Sequence, residues 1–287
     1  MKKFLYIVLL LSSSLACATL EKAIGTTPTP YDLPTLEPPQ QQATSTPITR
    51  RDNFDVYCPS DVPEAVDAYN QGVTYEQAGD TTSAISSYRQ ALELDPNYCD
   101  AMDNLALQLR QQGSVDEAIT WYQKSIEVAP DNDVAHLGLA NAYMGLEEYD
   151  SALEEYNALL EIDANNPEGY YGAGRVHFAR EDYNEALTQF QKAEEIYKSI
   201  GSDYLVDAQV YIGFSYTLLE DYENGRDYLE MVYPEMQDNA YVNYFLGSCY
   251  YYGKSIQNDP LAKLYLTRAR DLGVTLEPEL EDFVNSQ

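Results

Sequence analysis

Ala84-Ile85-Ser86-Ser87-Tyr88-Arg89-Gln90-Ala91-Leu92-Glu93-Leu94-Asp95-Pro96 decides the fold of this chain of 287 residues. Ala84, Tyr88 and Ala91 lie on one helical face, because residues three and four apart are neighbours on a helix. Pro96 lacks the N–H that a continuing helix would need, so one element stops there and another can start. The arrangement returns at a fixed interval. Ala84, Ala118, Ala152 and Ala186 stand 34 residues apart each time, Gly225 follows after 39 and Ala262 after 37. Four residues beyond each is a large side chain: Tyr88, Tyr122, Tyr156, Phe190, Leu229 and Leu266. Twelve residues before the first five anchors is another small residue, Gly72, Ala106, Ala140, Gly174 or Gly213, and Gly247 takes that role fifteen before Ala262. Small residues let two helices approach closely. Three residues after each of these stands a packing group: Tyr75, Leu109, Tyr143, His177, Tyr216 and Tyr250.

The punctuation agrees with helix pairs. Gly79-Asp80, Gly113-Ser114, Glu147-Glu148, Glu181-Asp182 and Glu220-Asp221 separate the two helices of a unit. Leu94-Asp95-Pro96 and Val128-Ala129-Pro130 close the first two units. The spacing predicts a longer second helix in the fourth unit, through Glu194 to Tyr197, and a second helix in the fifth that Pro234 ends early. Glu277 to Val284 reads as a last short helix covering the end of the stack.

These residues resemble the tetratricopeptide repeat, a helix-turn-helix unit with Leu-Gly-x-x-Tyr, then Ala-x-x-x-Tyr/Phe-x-x-Ala, then Pro. Leu105-Ala106 to Leu109, Ala84 to Tyr88 to Ala91, and Pro96 carry it, and the resemblance spans roughly residues 65 to 273. Leu159 and Ala164 depart from the pattern in the third unit. The sixth unit, Leu246-Gly247 to Tyr250, Gly253, Asp259, Ala262 and Ala269, resembles the related Sel-like repeat with its longer inter-helix loop. The resemblance implies an all-α fold: an α-solenoid of about six helix pairs in a right-handed superhelix, following a disordered linker. It also implies a groove lined by the first helix of each pair. Alignment places Tyr69, Asn141, Tyr171, Arg175, Phe178, Phe214, Tyr244 and Tyr251 on the groove side, with Val73, Asp103, Leu107, Leu137 and Val210. Chaperone-binding members clamp a peptide's terminal carboxylate with Lys, Asn and Arg. Tyr69 and Asp100 stand where that clamp wants Lys, so the resemblance does not extend to it.

The first sixty residues read differently. Met1-Lys2-Lys3, the apolar run Phe4 to Leu11, and Ser12 to Cys17 have the three-part layout of a secretory signal. Ala16-Cys17 resembles the end of a lipobox, with Cys17 the acylated residue, although Leu15 sits one place late. Ordinary cleavage after Ala18 and an uncleaved anchor are the alternatives. Residues 18 to about 55 lose all hydrophobic periodicity and are punctuated by Pro28, Pro30, Pro34, Pro38-Pro39 and Pro47. Such a segment buries too little apolar area to offset its chain entropy, and proline keeps it extended. The expected organisation is a signal peptide over 1–16, an anchor Cys and linker over 17–60, and the repeat domain over 61–287. The expected location is the extracytoplasmic face of a membrane or cell envelope.

Composition narrows the chemistry. The net charge is -30, and residues 61–287 hold 12 Lys and Arg against 42 Asp and Glu. That surface repels phosphate backbones and anionic lipid headgroups, so nucleic acid is excluded and membrane attachment needs the N-terminal anchor. Basic or neutral protein segments are the partners it would attract, and the aromatic C-terminal half of the groove, with Tyr171, Phe178, Phe214, Tyr244 and Tyr251, is where they are expected to bind. The 27 Tyr suit stacked surfaces and binding faces. His136 opens a helix with no obvious acidic or Cys partner, and His177 takes a packing place. The Glu-Glu pairs, such as Glu154-Glu155, fall on polar faces. No phosphate loop, nucleophile elbow or zinc motif is present, so the chain is expected to be no enzyme and to need no cofactor or metal. Cys249 reads as a small core side chain. Cys58, just ahead of the first helix, and Cys99, opening the next unit, are expected to form a disulfide. The expected function is a membrane-anchored adaptor that holds a partner's segment, or else a non-catalytic subunit of an envelope enzyme, secretion or transport complex.

Overall fold

A computed structural model describes residues 58–286. Cys17 and the signal and linker expected over residues 1–57 lie outside the described residues. Thirteen helices and no strand occur among the described residues. They form six pairs and a terminal helix. The pairs are α1 (Pro63–Gln77) with α2 (Thr81–Leu94), α3 (Cys99–Gln111) with α4 (Val115–Val128), and α5 (Asp133–Gly145) with α6 (Tyr149–Ile162). They continue with α7 (Pro167–Ala179) and α8 (Tyr183–Ile200), α9 (Leu205–Leu218) and α10 (Tyr222–Met236), and α11 (Ala240–Tyr252) and α12 (Asp259–Asp271). The terminal helix is α13 (Pro278–Asn285).

The chain divides into two compact units within α7, one running to Gly172 and the other from Ala173. In the first, α1 packs on α2, α2 on α3, α3 on α4, α4 on α5 and α5 on α6, and the first helices α3 and α5 also touch. In the second, each helix from α8 to α13 packs on the next, and α9 touches α11. The small anchors and their large partners build both cores. Ala84, Ala118, Ala152, Ala186 and Ala262 are fully buried, as are Tyr88, Phe190, Leu229 and Leu266.

Of the residues expected between paired helices, Asp80 and Asp221 cap the following helix with their side chains, whereas Ser114, Glu148 and Asp182 do not; Asn132 and Asn258 also cap. Asp80 accepts from Ser83 N, Asn132 from Val134 N and Ala135 N, Asp221 from Asn224 N, and Asn258 from Leu261 N. The second residue past the first helix of a pair adopts the left-handed conformation in five units. Gly79 and Gly113 do so at φ 75° and 89°, whereas Glu147, Glu181 and Glu220 do so at 59°, 65° and 63°. A Cβ in that conformation costs about 1–2 kcal/mol, partly offset by the chain entropy that glycine carries. Glu147 is exposed, so Glu147→Gly is expected to stabilise the protein by about 0.5–1 kcal/mol, read as a raised urea midpoint with unchanged slope.

Pro234 does not end α10, which runs on to Met236. It lies exposed in the last turn, where it removes one intrahelical hydrogen bond without stopping the helix. The second helix of the fourth unit is the long one, 18 residues, and Gly201 caps it at φ 66°. Cys58 and Cys99 are disulfide-bonded, with Cα atoms 5.4 Å apart. Beside the bond, Ser60 donates to Asp95.

Candidate partner-binding site

In residues 58–172 the second-helix tyrosines reach the first helices through gaps left by glycine. A Cβ on Gly72 would lie 2.7 Å from Tyr88 Cδ1. A Cβ on Gly138 would overlap the Tyr122 ring and lie 2.8 Å from its hydroxyl. A Cβ on Gly172 would overlap the Tyr156 ring. Gly72 was legible as a helix-approach residue. Gly138 and Gly172 were not singled out, though their own 34-residue separation is the signal that marks them.

Each ring carries its hydroxyl to a polar group. Tyr88 Oη donates to Glu76 Oε2 at 2.5 Å. Asn104 Nδ2 donates to Tyr69 Oη at 3.1 Å and to Tyr88 Oη at 3.4 Å. Tyr156 Oη donates to Asn141 Oδ1 at 2.9 Å. The Tyr122 phenol is pushed up to about 12, chiefly by burial, against the opposing charge of Arg110. Burial also raises Tyr69, with Asp100, Tyr98 and Glu76 adding to it. Tyr69 is half-buried, its ring 5.0 Å from Tyr98 and 5.7 Å from Tyr88. Leu107, Leu137, Asn141 and Tyr171 are likewise half-buried on their first helices. This stripe thus combines partly accessible apolar and aromatic side chains with amides and phenols, and Glu76 and Asp100 add negative charge. Asp103, expected beside them, is instead core: it is 3% exposed and accepts from Asn132 Nδ2 at 2.7 Å.

Residues 173–286 look different. Phe214 is 3% exposed and stacks on Phe245 at 4.4 Å, and Val210 is buried as well. Tyr244 is 1% exposed and donates to Glu277 Oε1 at 2.6 Å. Tyr251 donates to Glu279 Oε1 at 3.2 Å, and its ring lies 4.6 Å from Phe283. Phe214 and Tyr244 are therefore not groove contacts. The reason is that α9 and α11 are buried around nearly their whole circumference, with the C-terminal segment supplying Glu277, Glu279 and Phe283. Phe178 stays half-buried among Tyr183, Phe190 and Tyr211 at 5.5, 6.5 and 5.3 Å. Arg175 lies by Tyr211, whose phenol is raised by burial and lowered by that charge. Burial also lifts the Glu277 carboxyl above its usual range, and Glu277 Oε2 is buried with no partner among the described residues.

His136 has a partner that the sequence did not reveal. Its Nδ1 is 2.6 Å from Glu155 Oε2, and its Nε2 is 3.0 Å from Pro130 O. Both partners are acceptors, so only the doubly protonated ring satisfies them. Burial is the largest influence and lowers the pKa, but the two bonds with the charges of Glu155 and Asp131 outweigh it, and the pKa is raised. Glu155 lies 19 residues away, on a helix that only packing brings alongside. His177 has Nδ1 3.9 Å from Asp182 Oδ2. Cys249 is fully buried beside Thr217, and burial pushes its thiol up to about 12, so it is no nucleophile. Among the described residues, no group of three or more His, Cys, Asp or Glu could hold a metal ion. No helix among them is long and apolar enough to cross a membrane.

Two family models of the tetratricopeptide repeat match the sequence, over residues 63–133 and 109–173. Solved structures share the fold. A chain of the APC/C hetero-tetramer Cut9–Hcn1 has TM-score 0.63 and 21% identity over 77% of this chain. The match spans 42% of that chain, less than half its length. A tetratricopeptide-repeat protein from Parabacteroides merdae ATCC 43184 has TM-score 0.55 and 18% identity over 77% of this chain and 97% of that one. YrrB, described as a TPR protein with an unusual peptide-binding site, has TM-score 0.52 and 22% identity over 65% of this chain and 92% of its own. No curated protein matched by sequence.

Proposed function

We propose that this chain, whose residues 63–173 match the tetratricopeptide repeat and whose fold is shared by solved structures of such proteins, is an exported, membrane-anchored scaffold that holds a basic or neutral segment of another protein. The holding surface is the first-helix stripe of residues 58–172. The observation that carries this reading is the contrast between the two units. The stripe of Tyr69, Leu107, Leu137 and Asn141 stays partly accessible, whereas the corresponding helices α9 and α11 are buried among the protein's own side chains. Amides and phenols can hydrogen-bond to an extended backbone, and the apolar members supply contact area. Residues 61–172 contain 3 Lys and Arg against 22 Asp and Glu, so a basic segment is steered in and an acidic one is repelled. YrrB, a protein of the same fold, is described as having a peptide-binding site. The anchor rests on Ala16-Cys17 following the apolar run Phe4 to Leu11.

The test has two arms. Mass spectrometry of the mature N-terminus is expected to find an acylated Cys17; a chain beginning at Thr19 would remove the anchor but leave the scaffold. Capture from envelope extracts is the second arm, with Leu137→Arg and Asn141→Ala set beside the exposed control Gln90→Ala. The stripe variants are expected to lose captured basic proteins by about 10-fold, the effect of roughly 1–2 kcal/mol at a contact that matters. Equal capture by all three folded variants would place binding elsewhere.

A further inference from the structure

The Cys58–Cys99 bond closes a loop whose contents are specific. Between the two cysteines lie α1, α2 and their flanking turns, and no other helix. A crosslink stabilises by restricting the unfolded loop that it closes. Its effect therefore falls on the first helix pair rather than on the unit as a whole.

That pair is the one that needs support. In a stacked-repeat protein each unit is stabilised mainly by its neighbours, and a terminal unit has a neighbour on one side only. Among the described residues no helix precedes α1, which packs extensively on α2 alone. It meets the next pair through the Asn104–Tyr69 hydrogen bond, the Tyr69–Tyr98 ring contact and a core cluster shared with Met102 and Leu105, and the disulfide ties the segment just ahead of it to Cys99. Beyond α2, α3 packs on α4 and α5.

We propose that the Cys58–Cys99 bond is a redox-operated clasp for this pair alone. Oxidised, it holds α1 and α2 against α3. Reduced, it lets the pair open while α3 to α6 remain folded. Cys58 is the half-exposed end of the bond and Cys99 the fully buried one. A thiolate of an external dithiol attacks Cys58 Sγ, the Sγ–Sγ bond breaks, and Cys99 leaves as a thiolate that takes a proton from water. The second thiol of the reductant then displaces Cys58 Sγ, which is also protonated, and the reductant closes to its own disulfide. Two electrons pass from reductant to protein. Tyr69, Glu76 and Tyr88 belong to the pair, so the first part of the stripe is present only in the oxidised protein. The opening itself does not depend on what the stripe binds.

Hydrogen exchange on the full chain, followed by mass spectrometry before and after reduction with dithiothreitol, tests the clasp. Amides of α1 and α2 are expected to exchange about 30- to 1000-fold faster in the reduced protein, and those of α3 to α6 within about threefold of their oxidised rates. Unchanged protection in α1 and α2 would show that the pair stands without the bond. An equal loss across α3 to α6 would show one cooperative block. Either result overturns the proposal. The double variant Cys58→Ser/Cys99→Ser without reductant is expected to reproduce the reduced pattern. If its α1 and α2 stay protected, the reductant acts elsewhere and the clasp is refuted. Cys249 is buried and free, so its exchange environment is an internal control.

Discussion

Truncating Phe214 or Tyr244 to Ala is expected to cost about 3–5 kcal/mol each, the range for removing a large buried aromatic ring. Both side chains are nearly inaccessible, at 3% and 1% exposure. Phe214 stacks on Phe245, and Phe245 meets Tyr244 edge-on at 5.3 Å, so each truncation opens a cavity in one aromatic cluster. Thermal unfolding should shift down by about 10 °C or more. Limited proteolysis should place the first cuts within residues 173–286. Tyr244→Phe keeps the ring and removes only the hydroxyl that donates to Glu277. That removes a bond from a carboxylate whose other oxygen, Oε2, is already buried with no partner among the described residues, and a cost of about 1–3 kcal/mol is expected. Near-wild-type stability of both alanine variants would mean that these rings are not core after all. The sequence reading, in which they are groove contacts, would then regain its place.

Gly138→Ala is expected to destabilise by about 1–3 kcal/mol, although alanine is favoured over glycine in a helix by about 1 kcal/mol. The new methyl would overlap the ring of Tyr122. That ring is 2% exposed and has no space to retreat. Gly138→Val is expected to cost more, because its branches add two further clashes. Gly145, at the end of the same helix, is the control of opposite sign. A methyl there would meet nothing within 4 Å, and the φ of Gly145 is not positive, so Gly145→Ala should stabilise by about 0.5–1 kcal/mol. Urea unfolding of the three variants reads both signs at once. Tyr122→Leu in the Gly138→Ala background should recover part of the loss, since the two residues share one space. A stabilising Gly138→Ala would show that the tyrosine ring yields, and the close passage of rings between first helices would lose its energetic weight.

The expected stripe was legible for some residues and not for others. Tyr69, Leu137 and Asn141 were found by register, because a helical position repeated every 34 residues keeps the same orientation within a stack. Phe214 and Tyr244 share that register and are nevertheless buried. Register says which way a side chain leaves its helix. It does not say what stands opposite. In residues 173–286 the opposite groups include Glu277, Glu279 and Phe283, which are about 30 residues from Tyr244 and Tyr251 in the chain and lie outside any repeat. His136 makes the same point. Its carboxylate partner Glu155 looked like one more residue on a polar helix face.

The sequence alone determined the all-α class, the helix pairs, their boundaries within a few residues and the buried anchors from Ala84 to Ala262. Those properties are local. They follow from 3.6-residue periodicity, from capping side chains such as Asp80 and Asp221, and from residues that stop helices. The tertiary structure alone decided which equivalent positions are surface and which are core. It also decided that Gly138 and Gly172 make way for tyrosine rings, that Glu147, Glu181 and Glu220 bear left-handed backbone, and that His136 faces two acceptors. These depend on distances between residues far apart in the chain, and an amphipathic pattern specifies that a face is buried without specifying against what.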